Sequence, residues 1–221
     1  KKYCYFGETL RKTKDSLTKS RIAYKTGVEL FGNINSSDEI EIIKLLISSI
    51  KSTGKHKITL SLGRTEPLSE LIDAIDIPAN EVKILKKIMS SKSETDLEEF
   101  FLSRELNKKN LLEFKSLMTL NGKNETLKSL KQHKRKGFRD AAKKLEKVIK
   151  SLPKSVDYHL DFSDFPGFDY HSGLVFSIHI LGFGFSLAKG GQYNAGHQSI
   201  KRDAIGFDIN VSSLLKLNNQ E

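Results

Sequence analysis

The spacing of hydrophobic and polar positions changes twice along the chain. Near the start, YCYFGETLR and SRIAYKTGVELFG carry aromatic and β-branched residues in partial alternation, which predicts the two strands of a hairpin. Next, SSDEIEIIKLLISSIKSTG has apolar residues three and four positions apart, which predicts a helix capped by Ser36 or Ser37 and ended by Gly54. The apolar run KITLSLG then predicts a buried strand.

From residue 66 to about residue 152 the spacing becomes helical. Five segments repeat apolar residues at three and four positions, and the last of them, FRDAAKKLEKVIKSL, has a single apolar stripe. Its lysines should therefore face outward. The stripe consists of Phe138, Ala141, Ala142, Leu145, Val148, Ile149 and Leu152.

Strand patterns return after Pro153 in VDYHLDF, GLVFSIHI, GFGFSLAKGG and AIGFDIN, and a last helix is predicted over VSSLLKL. Strands joined by short links around a helical block predict an α+β fold, in which a helical insertion interrupts an antiparallel sheet. The predicted boundaries are 1–65 and 153–221 for the two parts of the core and 66–152 for the insertion. Because a strand pattern starts at the first residue, without Met, we expect the N-terminal part of the core to be missing.

Composition excludes several classes of protein. No apolar run approaches the roughly 20 residues that span a bilayer, so no membrane partner is expected. The single cysteine, Cys4, rules out an intrachain disulfide, favours a cytoplasmic location, and is expected to be a small core residue. His159, His179 and His197 lack the spacing of a zinc site, and LGFGFSLAKGG is not a dinucleotide-binding loop, so no metal or cofactor is expected.

The net charge of +10 is concentrated in the insertion. Residues 121–154 contain twelve basic and three acidic residues, a net charge of +9. Such a block indicates either a nucleic-acid contact or the solvated face of lysine-rich helices, and the sequence leaves both open.

Two glycine-containing segments predict a ligand pocket. FPGFDYHSGLVF (165–176) and KGGQYN (189–194) combine glycine with ionisable and aromatic residues near strand ends, where backbone can approach a ligand closely. Gly190 and Gly191 are expected to permit a turn rather than to contact the ligand.

Four segments, in order, resemble the signatures of histidyl-tRNA synthetase, a class II aminoacyl-tRNA synthetase. YFGETLRKT…SRIAYKTGVELFG resembles YxGxxFRxExP…GRxREFxQxGxE, and PGFDYHSGLVF resembles RGLDYYxxTVFE. AKGGQYN resembles AGGRYD, and AIGFDINVSSLL resembles GxGFAxGxERL. The resemblance implies a class II synthetase-like antiparallel sheet flanked by helices.

The resemblance also implies a histidine-like pocket. Glu29 matches the acidic residue that meets the substrate ammonium or imidazole, whereas Lys25 and His171 replace a glutamine and a tyrosine. The implied ligand-binding residues are Arg11, Lys25, Glu29, Asp169, Tyr170, His171 and Tyr193. The alternatives are a structural ion pair of Glu29 with Arg11 or Lys25, a core role for His171, and simple packing of the tyrosines.

Three departures from the synthetase pattern argue against adenylation. Thr13, Pro166 and Ser213 stand where the family has the adenine-binding acid and two phosphate-binding arginines. Since one missing donor to a developing anion typically costs about 3 kcal/mol, no catalytic residues are expected.

With the YHSG variant at 170–173 and these losses, the chain resembles regulatory subunits of ATP phosphoribosyltransferase, which are paralogues of the synthetase. That resemblance implies a non-catalytic role at the first step of histidine biosynthesis and histidine as a possible effector. It also implies a short-form catalytic subunit as partner and self-association as a dimer within a hetero-octamer, whereas nucleic acid is not an expected partner. The alternatives are a divergent or fragmentary histidyl-tRNA synthetase and a synthetase-like RNA-binding module.

Overall fold

The computed structural model of the protein describes residues 1–10, 12, 14, 19–162, 171–196 and 202–218. These residues form eight strands: β1 (Lys2–Leu10), β2 (Ile22–Phe31), β3 (Ile58–Arg64), β4 (Asn121–Gly122), β5 (Asp157–Asp161), β6 (His171–Ile180), β7 (Ser186–Ala195) and β8 (Arg202–Asn210). They join one sheet in the order β1-β2-β8-β7-β6-β3-β5-β4. The pairs β1–β2, β2–β8, β7–β8 and β4–β5 are antiparallel.

Helices follow and interrupt these strands. They are α1 (Ser36–Lys51), α2 (Glu66–Asp73), α3 (Ala79–Ser91), α4 (Glu94–Leu102), α5 (Lys108–Met118), α6 (Asn124–Gln132), α7 (Lys136–Ser151) and α8 (Val211–Asn218). The α+β fold class is therefore confirmed. The sequence analysis missed β4, because two residues are too few to carry a strand alternation. The domain boundaries at 65/66 and 152/153 stay predictions.

By their internal contacts the residues group into two compact units. The first contains Lys1–Ser61, Val148–Tyr158 and Phe176–Glu221, and its core includes the buried face of α1. The second contains Leu62–Lys147 and His159–Val175, with a core built from the buried faces of α2 to α6.

Helix α1 begins at a different cap from the one predicted. Its N-cap is Asn35, whose Oδ1 accepts the N–H of Ser37 at 2.8 Å, while Oδ2 of Asp38 accepts the N–H of Asn35 at 2.9 Å. This reciprocal pair satisfies two N–H groups at the helix start. Ser36 and Ser37 are consequently helical, and the helix ends at Lys51, ahead of Gly54.

Helix α7 confirms the predicted apolar stripe. Phe138, Ala141, Ala142, Leu145 and Val148 are buried, and Ile149 and Leu152 are half-buried. The lysines between them, Lys143, Lys144, Lys147 and Lys150, are exposed, as the spacing predicts.

Cys4 is exposed, so the prediction of a core cysteine is wrong. The reason is the position of β1 at the end of the strand order, where among the described strands it pairs with β2 alone. Its apolar side chains are exposed too, with Phe6 at 70% and Leu10 at 75%.

Candidate functional site

The candidate site lies on one face of β2, β8 and β7, in the first unit. Opposed residues of an antiparallel pair point to the same face, so the register places Glu29 beside Gly206 and Gly206 beside Gly191. The other face is apolar, with Leu30 and Ile205 buried, and α1 and α8 contact β8 and β2. The sheet therefore buries one face against helices and carries polar side chains on the other.

Glycines form the floor of this polar face. A Cβ atom on Gly206 would lie 2.1 Å from Oε2 of Glu29 and 2.4 Å from the carbonyl oxygen of Val28. A Cβ atom on Gly27 would lie 2.5 Å from the hydroxyl oxygen of Tyr5. The side chains of Glu29 and Tyr5 thus lie across neighbouring glycines, which is possible because those positions have no side chain. We call Gly27, Gly191 and Gly206 the glycine floor.

The carboxylate of Glu29 is the central polar group. The hydroxyl of Tyr193 donates to its Oε2 at 2.9 Å. Burial raises the pKa of Glu29, the hydrogen bond from Tyr193 lowers it, and the negative charge of Asp208 raises it again, with a net shift upward. A half-buried carboxylate with a raised pKa gains from a cationic partner, so this group is suited to binding an ammonium or imidazolium.

The ion pair of Lys25 is with Asp208. Nζ of Lys25 lies 2.8 Å from Oδ2 of Asp208, with 20% and 34% of the two side chains exposed. Lys25 and Glu29 are on the same strand face, but Glu29 takes its hydrogen bond from Tyr193. The sequence analysis missed Asp208, although a signal was present, because the GFD of this chain replaces the GFA of the resembling signature.

Aromatic rings support Tyr193 from β2 and β1. The rings of Phe31 and Tyr193 meet edge to face with centroids 6.5 Å apart, and the rings of Tyr3 and Phe31 do so at 5.8 Å. Edge-to-face contacts restrict ring orientation and add to the stability of a packed cluster. They help to hold the Tyr193 hydroxyl against Glu29.

The remaining predicted residues belong to the second unit or lie outside the described residues. His171 is the first residue of β6 and is half-buried in the second unit. Arg11, Asp169 and Tyr170 lie outside the described residues, as do Thr13 and Pro166. The structure thus brings together Glu29 and Tyr193, places Lys25 on the same face, and leaves the ligand-binding role of all seven residues a prediction.

Ser213 is the third residue of α8 and is buried. Its backbone N–H donates to Oδ1 of Asn210 at 3.1 Å, so the Asn210 side chain satisfies one N–H group in the first turn of the helix. At the place where the resembling signature has an arginine, this chain therefore has a small side chain packed at a helix start.

Gly190 and Gly191 lie inside β7, so the prediction of a turn there is wrong. A Cβ atom on Gly190 would lie 2.3 Å from the carbonyl oxygen of Gly206 and 2.5 Å from Cζ of Phe176. Close packing of β7 on its neighbours therefore explains the first glycine, and the second belongs to the glycine floor.

Several basic residues of segment 121–154 are paired with carboxylates. Glu113 of α5 binds both Lys134 and Nε of Arg135, the latter at 2.6 Å, and Glu66 of α2 binds Lys144 at 3.1 Å. Two further pairs are Lys131 with Glu146 at 2.9 Å and Lys136 with Asp140 at 2.6 Å. Since two of these carboxylates lie outside the segment, the net charge of +9 overstates the positive electrostatic field around the segment.

A groove of about 380 Å³ lies between α3 and α4 and contains none of the predicted site residues. The guanidinium of Arg104 lies 3.9 Å from the ring centroid of Phe100, and its Nε donates to Oε2 of Glu81 at 2.6 Å. The guanidinium of Arg104 therefore contacts residues of the two helices that form the groove.

The described residues hold no group of three His, Cys, Asp or Glu side chains that is arranged to bind a metal ion. A separate search of the same residues finds no helix with the length and apolar character needed to cross a membrane. The polar face of β2, β8 and β7 therefore remains the strongest candidate for a small-molecule site.

Comparison with known proteins identifies the family. The family described as histidyl-tRNA synthetase matches residues 1–214. The ATP phosphoribosyltransferase regulatory subunit of Hydrogenovibrio crunogenus is 26% identical over 226 residues, which cover 97% of this chain and 57% of that protein. The chain thus spans little more than half the length of this relative.

Two solved structures share the fold. An ATP phosphoribosyltransferase regulatory subunit/histidyl-tRNA synthetase from Bacillus halodurans has a TM-score of 0.77 at 19% identity, covering 97% of this chain and 57% of that one. An ATP phosphoribosyltransferase complex from Thermotoga maritima has a TM-score of 0.71 at 16% identity, covering 94% and 72%. At these identities the likeness establishes the fold alone, and it confirms the synthetase-like sheet.

Proposed function

The chain belongs to the histidyl-tRNA synthetase family, and we propose that it is part of a non-catalytic regulatory subunit of ATP phosphoribosyltransferase that acts in histidine biosynthesis. The observation that carries this proposal is the retained carboxylate of Glu29, hydrogen-bonded to Tyr193 over the glycine floor, in a chain that keeps Arg11 but lacks two phosphate-binding arginines of the resembling signatures. The relative from Hydrogenovibrio crunogenus, which is named as such a regulatory subunit, supports it.

The absence of catalysis is the first part of the proposal. Adenylation moves negative charge between phosphate groups, so a synthetase needs cations at those groups in the transition state. Proline at 166 carries no charge and no N–H donor, and Ser213 is neutral and buried. Losing two such cations is expected to raise the barrier by several kcal/mol, at about 3 kcal/mol for each missing donor.

Histidine is proposed as a signal rather than a substrate. A ligand shifts an equilibrium between two states only if it binds them with different affinity, and a retained amino-acid pocket supplies such a difference. Glu29 accepts from the ammonium or imidazole, with Tyr193 beside it. Arg11, Asp169, Tyr170 and His171 are proposed to complete the pocket by resemblance.

The proposed partner is a short-form catalytic subunit, with a dimer of this protein inside a hetero-octamer. The solved complex of ATP phosphoribosyltransferase from Thermotoga maritima contains a chain that has the same fold over 94% of this chain, which supports a catalytic subunit as partner. A cytoplasmic location is proposed with it.

The test uses the full-length protein. Co-expression with a short-form catalytic subunit should give a complex on affinity purification and size exclusion, and phosphoribosyl transfer should be higher with the protein than without it. The full-length protein should also catalyse no histidine-dependent exchange of pyrophosphate into ATP. Exchange clearly above a blank would instead support a divergent synthetase, and failure to associate with or activate the catalytic subunit would reject the proposed role.

The rival RNA-binding role finds less support. It depends on the basic segment 121–154, in which at least five of the twelve basic residues are paired with carboxylates of α2, α5 and α7. Paired cations release fewer counterions on binding a polyanion and therefore contribute less to affinity.

A further inference from the structure

Lys25 and Asp208 form an ion pair on the same face as Glu29, one residue pair farther along the sheet. Asp208 is opposite Gly27 in the β2–β8 register, and Lys25 is opposite Asn210, so the pair is diagonal across the two strands. Nζ of Lys25 lies 2.8 Å from Oδ2 of Asp208. The ion pair therefore lies beside the glycine floor.

Without its ion pair to Asp208, Lys25 would be positioned to bind the carboxylate of an amino-acid ligand. Lys25 and Glu29 are four residues apart on one strand, so their Cα atoms are separated by about 13 Å. Two side chains that reach inward from such positions fit a ligand whose cationic and anionic ends are several ångströms apart, as the imidazole and carboxylate of histidine are. The hydroxyl of Tyr5 lies over Gly27, between the two side chains.

Asp208 changes this arrangement in two ways. It already supplies a carboxylate to the Lys25 ammonium, so a ligand carboxylate would have to displace it and would be repelled by it. Its negative charge also acts at Glu29, where it opposes ionisation. Lys189, opposite Asp208 on β7, is on the same face, so Glu29 and Asp208 face Lys25 and Lys189 and leave no net charge there. It is therefore the local position of Glu29 that favours the cationic end of a ligand.

We propose that Asp208 is a specificity-determining residue that withholds Lys25 from the ligand carboxylate, so that the site recognises the cationic end of histidine through Glu29. This inference rests on the proposed function, in that the site must bind a histidine-like ligand at all. Lys25 is then a partner of Asp208 and not a ligand-binding residue in the wild-type protein. Lys25 stands where the resembling signature has glutamine and Asp208 where it has alanine, so the two replacements act as a matched pair.

The experiment compares histidine with histamine, which lacks the carboxylate, by calorimetric titration into the full-length protein. Wild type and Lys25→Gln should each bind the two ligands with affinities that differ by less than threefold. Asp208→Asn frees Lys25, so the ratio of histidine to histamine affinity should rise at least fivefold, and the double variant Lys25→Gln with Asp208→Asn should lose that rise. The control is Asp203→Asn, because Asp203 is on the same strand but on the other face by alternation.

The possible outcomes test the inference about Asp208 separately from the proposed histidine site. A wild-type protein that strongly prefers histidine, and loses this preference in Lys25→Gln, already uses Lys25 for the carboxylate and overturns the inference. An unchanged ratio in Asp208→Asn overturns it as well. Binding of neither ligand to any of the variants rejects the proposed histidine site together with the inference, whereas binding with the wrong ratio rejects the inference alone.

Discussion

The hydroxyl of Tyr193 donates a hydrogen bond of 2.9 Å to Oε2 of Glu29, although the two residues are 164 positions apart and on strands that are not neighbours. Strand β8 lies between them, and it carries Gly206 at the crossing point. The bond passes over that strand because glycine leaves the space open. This relationship places an acceptor for a cation on the polar face.

Glu29→Gln should weaken histidine binding. The substitution removes the charge from an acceptor whose hydrogen bond to a cation is worth about 1.5 to 3 kcal/mol, so affinity should fall by about tenfold or more. Calorimetric titration of histidine into the full-length protein, alone and in complex with the catalytic subunit, measures it. Tyr193→Phe is the companion variant, because it removes the neighbouring hydroxyl and keeps the carboxylate. Equal affinities of wild type and Glu29→Gln would remove Glu29 from the site.

Glu29→Gln should also raise the free energy of unfolding at neutral pH. The pKa of Glu29 is raised above its ordinary value of 4.5, chiefly by burial, so the folded state holds the proton more tightly than the unfolded state does. Wild type should therefore lose free energy of unfolding relative to Glu29→Gln as the pH rises from 4.5 through the raised pKa. Urea unfolding of both proteins from pH 4 to pH 8 measures the difference. A difference that grows as the pH falls would contradict this expectation.

Gly206→Ala should disturb the glycine floor. The added methyl group would lie 2.1 Å from the Glu29 carboxylate and 2.4 Å from a backbone oxygen, so the strands must shift. We expect a loss of about 1 to 3 kcal/mol in the free energy of unfolding, together with weaker histidine binding. The matched control is Gly7→Ala on β1, where an added Cβ has no neighbour within 4 Å. Equal stabilities of these two variants in urea unfolding would show that the floor tolerates a side chain.

Glu66→Gln should destabilise the second unit at neutral pH. Arg64 is 1% exposed, and its Nη2 lies 2.8 Å from Oε1 of Glu66, so the substitution leaves a buried cation without its full counter-charge. Removing one partner of a buried pair costs roughly 3 to 5 kcal/mol, and the lower end applies because Glu66 is partly exposed. The control is Glu125→Gln, in the first turn of α6, where the side chain is exposed.

The cost of Glu66→Gln should depend on pH in a defined direction. Burial alone would raise the pKa of Glu66, but Arg64 and Lys144 hold it below its ordinary value of 4.5. The stabilising effect of this carboxylate is therefore present above pH 4.5 and is lost as the pH falls through the lowered pKa. Urea unfolding at pH 7 and pH 3 should show a smaller difference between wild type and variant at the lower pH. A constant difference would mean that the charge of Glu66 is not the cause.

Binding of tRNA should be weak and should disappear near physiological salt. Lys131, Lys134, Arg135 and Lys136 are already paired with carboxylates, so these four residues should release few counterions on binding. Fluorescence anisotropy with tRNA over a potassium chloride series tests this, using charge reversals at Lys131, Lys134, Arg135 and Lys136. Reversals at Lys83 and Lys87, exposed on α3, are the control. Tight, specific binding that is lost only in the first set would favour the RNA-binding role.

The sequence by itself predicted the strands and helices other than β4 and α6, the stripe of α7 and, by resemblance, the placing of Glu29 and Tyr193 in one pocket. These follow from spacings of two and of three to four residues, and from short motifs, all of which are local. Local spacing states which residues share a face of one element, and burial of Leu145 and its neighbours then follows from the hydrophobic effect.

The tertiary structure alone decided which faces meet. Lys25 finds Asp208 across β2 and β8, Gly191 belongs to a floor instead of a turn, and Cys4 is exposed because β1 lies at the end of the strand order. Each outcome depends on strand pairing and register between segments far apart in sequence. A shift of one residue in register would move Asp208 to the opposite face, so no local pattern could have specified its ion pair with Lys25.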